Sequence, residues 1–276
     1  MRSIAKATLR RLSPAVICGI AAALILPAGA QTPAPQILAP QSAAFECKAP
    51  PEFVRLDQPL RHTARRLAAD ESLTIVAIGS SSTRGAGASS PAASYPSRLA
   101  AELGKRFPRD DVTVLNRGVN GEEIEQMLAR FPADVIAPHP DLVLWQVGTN
   151  AVLRDRQVEA DAAMLRDGIK QIKDAGADAV LMDMQFAPRV LAKSETPDME
   201  DQIARAAKEG SIDLFNRFAV MRQWHDVQHM PFEAFVAPDG LHMNDWGYGC
   251  VAKLLAGAIT EAATRPVASA AAHSVH

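Results

Sequence analysis

The sequence predicts an α/β fold: a single-domain, three-layer α/β/α sandwich built on a mainly parallel five-stranded sheet. Three observations predict it. Short apolar runs rich in β-branched residues recur between residues 73 and 215, helix-length segments separate them, and turns rich in Gly, Ser or Asn follow several of the runs. Strands joined by helices at this spacing form parallel neighbours, with helices covering both faces of the sheet. With 276 residues, 48% of them apolar, the chain can bury one full core.

Residues 1–30 read as a signal peptide. Arg2, Lys6, Arg10 and Arg11 precede an apolar run from Ala15 to Leu26, and small residues stand at Ala28 and Ala30 where a signal peptidase needs them. The run is short for a bilayer span, so an uncleaved anchor is the weaker reading, and no transmembrane segment is expected after cleavage. Without the leader, 25 Lys plus Arg face 31 Asp plus Glu, a formal charge of −6, which argues against nucleic acid as a partner. The expected location is the periplasm or the outside of the cell.

Residues 31–60 form a Pro- and Ala-rich N-terminal segment with no sustained period, a tether or an irregular wrap. A hydrolase-sized domain is expected over 61–263. Its strands are expected at 73–78, 112–116, 142–147, 179–184 and 212–215, and its helices near 95–107, 122–131, 157–175, 198–208, 221–227 and 244–262. Residues 264–276 read as a disordered tail. In open sheets of this kind, ligands bind outside the carboxyl ends of the strands, which directs attention to the loops after Ile78, Asn116, Val147 and Met184.

Those loops hold the chemistry. The first reads Gly79-Ser80-Ser81-Ser82-Thr83-Arg84-Gly85; taken alone, such hydroxyls are what helix caps and turns use. The second reads Asn116-Arg117-Gly118-Val119-Asn120-Gly121, where glycine lets the backbone approach a ligand. The third, Gly148-Thr149-Asn150, places a side-chain amide at the same edge. Near the C-terminus, Pro238-Asp239-Gly240-Leu241-His242 sets a carboxylate and an imidazole three apart. On a loop, Asp239 can reach Nδ1–H of His242 and leave Nε2 free to take a serine proton.

These four segments resemble the blocks of the SGNH/GDSL hydrolases: a Gly-Asp-Ser segment, a glycine, a Gly-x-Asn and an Asp-x-x-His, in that order. The resemblance implies a flavodoxin-like SGNH-hydrolase fold and an esterase or O-acyltransferase needing no cofactor. It implies Ser81, Asp239 and His242 as catalytic residues, and Ser81 N–H, Gly118 and Asn150 as oxyanion-hole donors. One position departs: Ser80 stands where the family has Asp, which leaves Ser80 and Ser82 as lesser candidates for the nucleophile. The substrate implied is an acyl ester, with O-acyl groups of envelope carbohydrate suiting an exported protein. Trp145, Tyr95, Gln185, Phe186 and Arg189 are candidates for shaping its pocket, and oligomeric state is left open.

Other readings compete. Gly85-Ala86-Gly87 resembles a dinucleotide-binding turn, but Ser90 replaces its third glycine, and Thr83 stands where a Gly-x-Ser-x-Gly elbow needs glycine. His225 and His229 lie one helical turn apart, as in a zinc site, with no third ligand evident. A glycan-binding module without catalysis is the remaining alternative. Of three cysteines, Cys18 leaves with the leader, while Cys47 and Cys250 remain in an oxidising compartment. They either pair or stay as separate buried thiols.

Overall fold

The computed structural model describes residues 45–156 and 158–266. The expected signal peptide, the first half of the N-terminal segment and the end of the expected tail lie outside them. Helices α1 (Pro51–Val54) and α2 (Arg61–Ala68) precede β1 (Leu73–Gly79), followed by α3 (Ser81–Arg84), α4 (Tyr95–Arg106) and β2 (Val112–Gly118). Then come α5 (Ile124–Ala129), β3 (Leu142–Gln146), α6 (Thr149–Leu153), α7 (Glu159–Asp174) and β4 (Asp178–Met182). The set closes with α8 (Pro188–Leu191), α9 (Thr196–Gly210), β5 (Asp213–Phe215), α10 (Arg217–Arg222) and α11 (Asp245–Thr264).

The five strands form one parallel sheet in the order β2-β1-β3-β4-β5. Helices cover both of its faces. That cover explains why β1 and β3 read as nearly unbroken apolar runs, whereas β2, at the edge, is half exposed. One helical layer is built from α11 packed on α4 and α2, and the other from α7 packed on α5 and α9. The strand order reverses between β1 and β3, the crevice where doubly wound sheets bind their ligands. Among the described residues, no helix is long and apolar enough to cross a membrane.

Several expectations need correcting. Of the two readings of the lead-in, its described part follows the wrap and not the tether: Leu56 and Leu60 are buried, and α2 is a helix that its Arg- and Ala-rich sequence left unmarked. It is held by three aspartates at the amino ends of β3, β4 and β5. Asp213 accepts N–H bonds from Asp57 (2.7 Å) and Gln58 (3.1 Å), Asp178 from Thr63 (2.9 Å), and Asp141 accepts from Arg66 Nε and from Thr74 N–H, both at 2.9 Å. Thr264 still belongs to α11, and Arg265 donates to the carbonyls of Leu56 and Asp57, so the tail does not begin at 264. The expected helix 221–227 begins earlier, as α10, and its second half widens into a π-type turn over Gln223–Val227. Cys47 and Cys250 are joined by a disulfide that ties the lead-in to α11.

Candidate active site

The site is assembled at the carboxyl ends of the strands from segments far apart in sequence. β1 ends at Gly79, and the chain turns through Ser80 into the single helical turn α3, of which Ser81 is the first residue. A first-turn N–H has no intrahelical acceptor, so Ser81 presents both a hydroxyl and a free backbone donor. Ser80 and Ser82 are only 1% exposed, and each points inward. Ser80 Oγ donates to Gln146 Oε1 at 3.1 Å, and Ser82 Oγ to Gln185 Oε1 at 3.4 Å. Of the three serines, only Ser81 meets the imidazole.

Ser81 Oγ lies 2.8 Å from His242 Nε2, and His242 Nδ1 lies 2.5 Å from Asp239 Oδ2. The His242 loop is shaped locally. Asp239 Oδ1 accepts the N–H groups of Leu241 and His242, Gly240 takes φ +66°, and Ala237 N–H donates to His242 O. Burial pulls the Asp239 carboxyl up, but the hydrogen bonds from the His242 ring and the two backbone N–H groups outweigh it and hold the pKa below the usual carboxylate value. Asp239 therefore stays charged and fixes the tautomer with Nδ1 protonated, which leaves Nε2 able to accept from Ser81.

What brings this loop to Ser81 is the segment just after α3. Gly87 (φ +86°) has His242 and Met243 where a Cβ would stand, with Met243 O only 2.5 Å away. Tyr248 Oη donates to Ala86 O at 2.6 Å, and Ser89 N–H donates to Asp245 at 2.7 Å. Of the glycine pair that resembled a nucleotide turn, Gly87 is the dock for the histidine loop, while Gly85 packs against Ser94.

The expected donor Gly118 is a correction. Its N–H is bound to Asn116 Oδ1 at 2.9 Å, and a Cβ there would stand 2.1 Å from Arg84 N, so this glycine serves the close packing of β2 against α3. Gly121 fits the role better. It adopts φ +80°, its N–H finds no acceptor among the described residues, and a Cβ there would meet only the Arg154 guanidinium. The signal was present as the second glycine of Gly118-Val-Asn-Gly121, but two glycines three apart do not say which one faces the site. Asn150, the second residue of α6, donates through Nδ2 to Glu122 O at 2.8 Å, beside Gly121, and retains a second amide hydrogen. Arg154 bonds Gly121 O at 2.8 Å and pairs with Glu123, fixing this loop from α6.

The position where the family has Asp is served differently. Ser80 N–H (3.0 Å), Ser80 Oγ and Thr83 Oγ1 (3.3 Å) all converge on Gln146 Oε1, at the end of β3, so a neutral acceptor supports the turn. Burial pushes the nearby Tyr95 phenol up to about 12, against a Thr83 hydrogen bond that lowers it, so it remains a hydroxyl. Tyr95, Trp145 and Gln185 are buried and Phe186 is only 8% exposed; Tyr95 and Gln185 meet Thr83 and Ser82 behind the nucleophile turn, whereas Trp145 packs on Phe131 and Phe186 on Phe218 and Phe232. Arg189 is exposed, and its N–H donates to Gly240 O beside the triad loop.

His225 and His229 do not join this group. His225 Nδ1 lies 2.8 Å from Asp226 and its ring stacks on Phe232, while His229 sits in a turn at φ +54°. Among the described residues no three His, Cys, Asp or Glu side chains gather as a metal set.

The arrangement can therefore move a proton from a hydroxyl to an imidazole, and it leaves the N–H groups of Ser81 and Gly121 and one Asn150 amide hydrogen without an acceptor among the described residues. Residues 46–265 match the model of the non-GDSL lipase-like family. An arylesterase of Vibrio mimicus is 29% identical over 140 residues, 48% of this chain and 62% of that one. Thioesterase 1/protease 1/lysophospholipase L1 of Escherichia coli (strain K12) is 28% identical over 182 residues, 66% of this chain and 79% of that one. A two-domain esterase active on acetylated mannans superposes with a TM-score of 0.65 at 20% identity, over 79% of this chain and 58% of that one, a likeness of fold. The chain spans less than two thirds of the arylesterase and of the mannan esterase.

Proposed function

The chain belongs to the non-GDSL lipase-like family, and from that premise we propose that it is a carboxylic ester hydrolase using a Ser81–His242–Asp239 triad. The observation that carries the reading is the unbroken line from Ser81 Oγ through His242 to Asp239. In the proposed reaction Ser81 Oγ attacks the acyl carbon as His242 Nε2 takes its proton. The oxyanion is received by the N–H groups of Ser81 and Gly121 and by Asn150 Nδ2. Collapse expels the alcohol, protonated by His242, and leaves an acyl-Ser81. Water, or a sugar hydroxyl in a transfer reaction, then reverses these steps and releases the acyl group.

For substrate we propose O-acyl groups on carbohydrate of the cell envelope. The mannan-active esterase of like fold supports it, as do the leader-like residues 1–30 and the disulfide, which suits an exported protein. The test is hydrolysis of p-nitrophenyl acetate and release of acetate from acetylated glycan by residues 31–276. Ser81→Ala is expected to lower both by at least about 10³-fold, and a fluorophosphonate is expected to label Ser81 only while His242 is present. Glycan binding with no label and no turnover would instead leave a binding module on this fold.

A further inference from the structure

Behind the nucleophile turn lies a buried polar group that the proposed reaction does not use. Arg217, the first residue of α10, is wholly buried, with Nη2 2.6 Å from Asp183 O and 3.0 Å from Gln185 Oε1. Gln185 Oε1 also accepts from Ser82 Oγ at 3.4 Å and from Thr149 Oγ1 at 3.1 Å. All four side chains are at most 3% exposed. One oxygen thus joins the residue after Ser81, the residue before Asn150 and a buried cation. Arginine only donates, so its presence dictates which end of the Gln185 amide faces this junction. Were the amide reversed, its NH₂ would confront the guanidinium and could accept nothing from the two hydroxyls.

The arrangement costs stability. Arg217 Nε and Nη1 and Gln185 Nε2 are buried without a hydrogen-bond partner among the described residues, and burial pulls the guanidinium's pKa down, opposed mainly by Asp183. An apolar side chain would fill this space more cheaply. A merely structural role does not account for a cation placed under two active-site loops.

We infer that Arg217, acting through Gln185, is a positioning residue that sets the Ser81 nucleophile and the Asn150 oxyanion donor at a fixed separation. The inference rests on the esterase reading above. Acyl transfer demands that the attacking oxygen and the oxyanion donors keep their separation to a fraction of an ångström, and these loops come from β1 and β3, on opposite sides of the crevice. Gln146 already ties Ser80 and Thr83 to the end of β3, and the Gln185 junction is the buried side-chain link that joins the residue after Ser81 to the residue before Asn150.

The test compares ester turnover per active site, with sites titrated by a fluorophosphonate, in Arg217→Met, Gln185→Met, Gln185→Glu and the double Met variant. Arg217→Met and Gln185→Met are each expected to lower kcat by about 10- to 100-fold with KM changed less than about twofold, because substrate still binds while the reacting groups are misplaced. Gln185→Glu keeps an acceptor for all three donors and should retain kcat within about threefold, and the double variant should be no worse than either single one, as for residues acting as a unit. Unchanged kcat per titrated site in Arg217→Met, multiplied losses in the double variant, or a Gln185→Glu as weak as Gln185→Met overturns the inference. If Arg217→Met does not fold, Thr149→Val reads the same link by removing one hydroxyl: a kcat loss of about 3- to 10-fold supports it and an unchanged kcat overturns it. A wild-type protein that neither takes the label nor turns over ester fails the esterase reading itself, a result distinct from any of these.

Discussion

The two rims of the sheet are made of similar residues and put them to opposite use. At the amino ends of the strands, Asp141, Asp178 and Asp213 each accept hydrogen bonds from the lead-in segment, from α2 or from the start of β1. These carboxylates are held by fixed partners, which offset the cost of burying them. At the carboxyl ends, Asp239 is also satisfied, but it holds a histidine whose other nitrogen faces a half-exposed serine. On this rim, the N–H groups of Ser81 and Gly121 and one amide hydrogen of Asn150 have no acceptor among the described residues. A rim with its donors filled is a staple, and a rim with donors left open is a site.

The comparison breaks first at Asn150. If the open rim is catalytic, Asn150→Ala should lower kcat by about 10²- to 10³-fold, roughly 3–4 kcal/mol of transition-state stabilisation, with little change in KM or in thermal midpoint. A loss confined to stability would make Asn150 a loop tie through Glu122 O and nothing more.

A smaller effect of the opposite kind is expected at the filled rim. Asp141→Ala removes the acceptor of Thr74 N–H and Arg66 Nε, and should cost about 1–3 kcal/mol in urea unfolding while kcat at 25 °C stays at the wild-type value. A fall in kcat with stability intact would erase the division of labour between the rims.

A pH-dependent effect sharpens the picture at the carboxyl end of β4. Burial pushes the Asp183 carboxyl up to about 8, against the pull of the Phe218 and Arg217 N–H groups and of the Arg217 charge. Because its pKa is higher folded than unfolded, its contribution is fully present below about pH 4 and is lost as pH rises through about 8. Unfolding free energy should therefore decline across pH 5 to 8, by up to about 1 kcal/mol per unit, and Asp183→Asn should flatten that decline. An equal slope in the variant would assign the dependence to other groups.

The sheet was legible because β1, β3 and β4 are buried on both faces and leave nearly unbroken apolar runs, those of β1 and β3 followed by glycine turns. The lead-in was not, because α2 is only eight residues long, carries three arginines, and has its Thr63 N–H held by the distant Asp178. Ser81 and Asn150 were legible as residue types in loops after strands, and Asp239 and His242 as a carboxylate and an imidazole three apart. The choice between Gly118 and Gly121 was not, since it depends on where one N–H points. Neither was the Gln185 junction, whose members Ser82, Thr149 and Arg217 are ordinary residues until the fold puts them around one oxygen.

By itself the sequence determined the five-stranded α/β plan, the strand-end loops that carry chemistry and the local pairing of Asp239 with His242, because each rests on periodicity or on contacts within a few residues. Only the tertiary structure decided that His242 reaches Ser81 across 161 positions, through the Gly87 dock and the Tyr248 bond to Ala86. It likewise decided which of three adjacent serines is presented and which glycine keeps a free donor. Those outcomes depend on what occupies the other side of each group, and chain order alone carries no record of that.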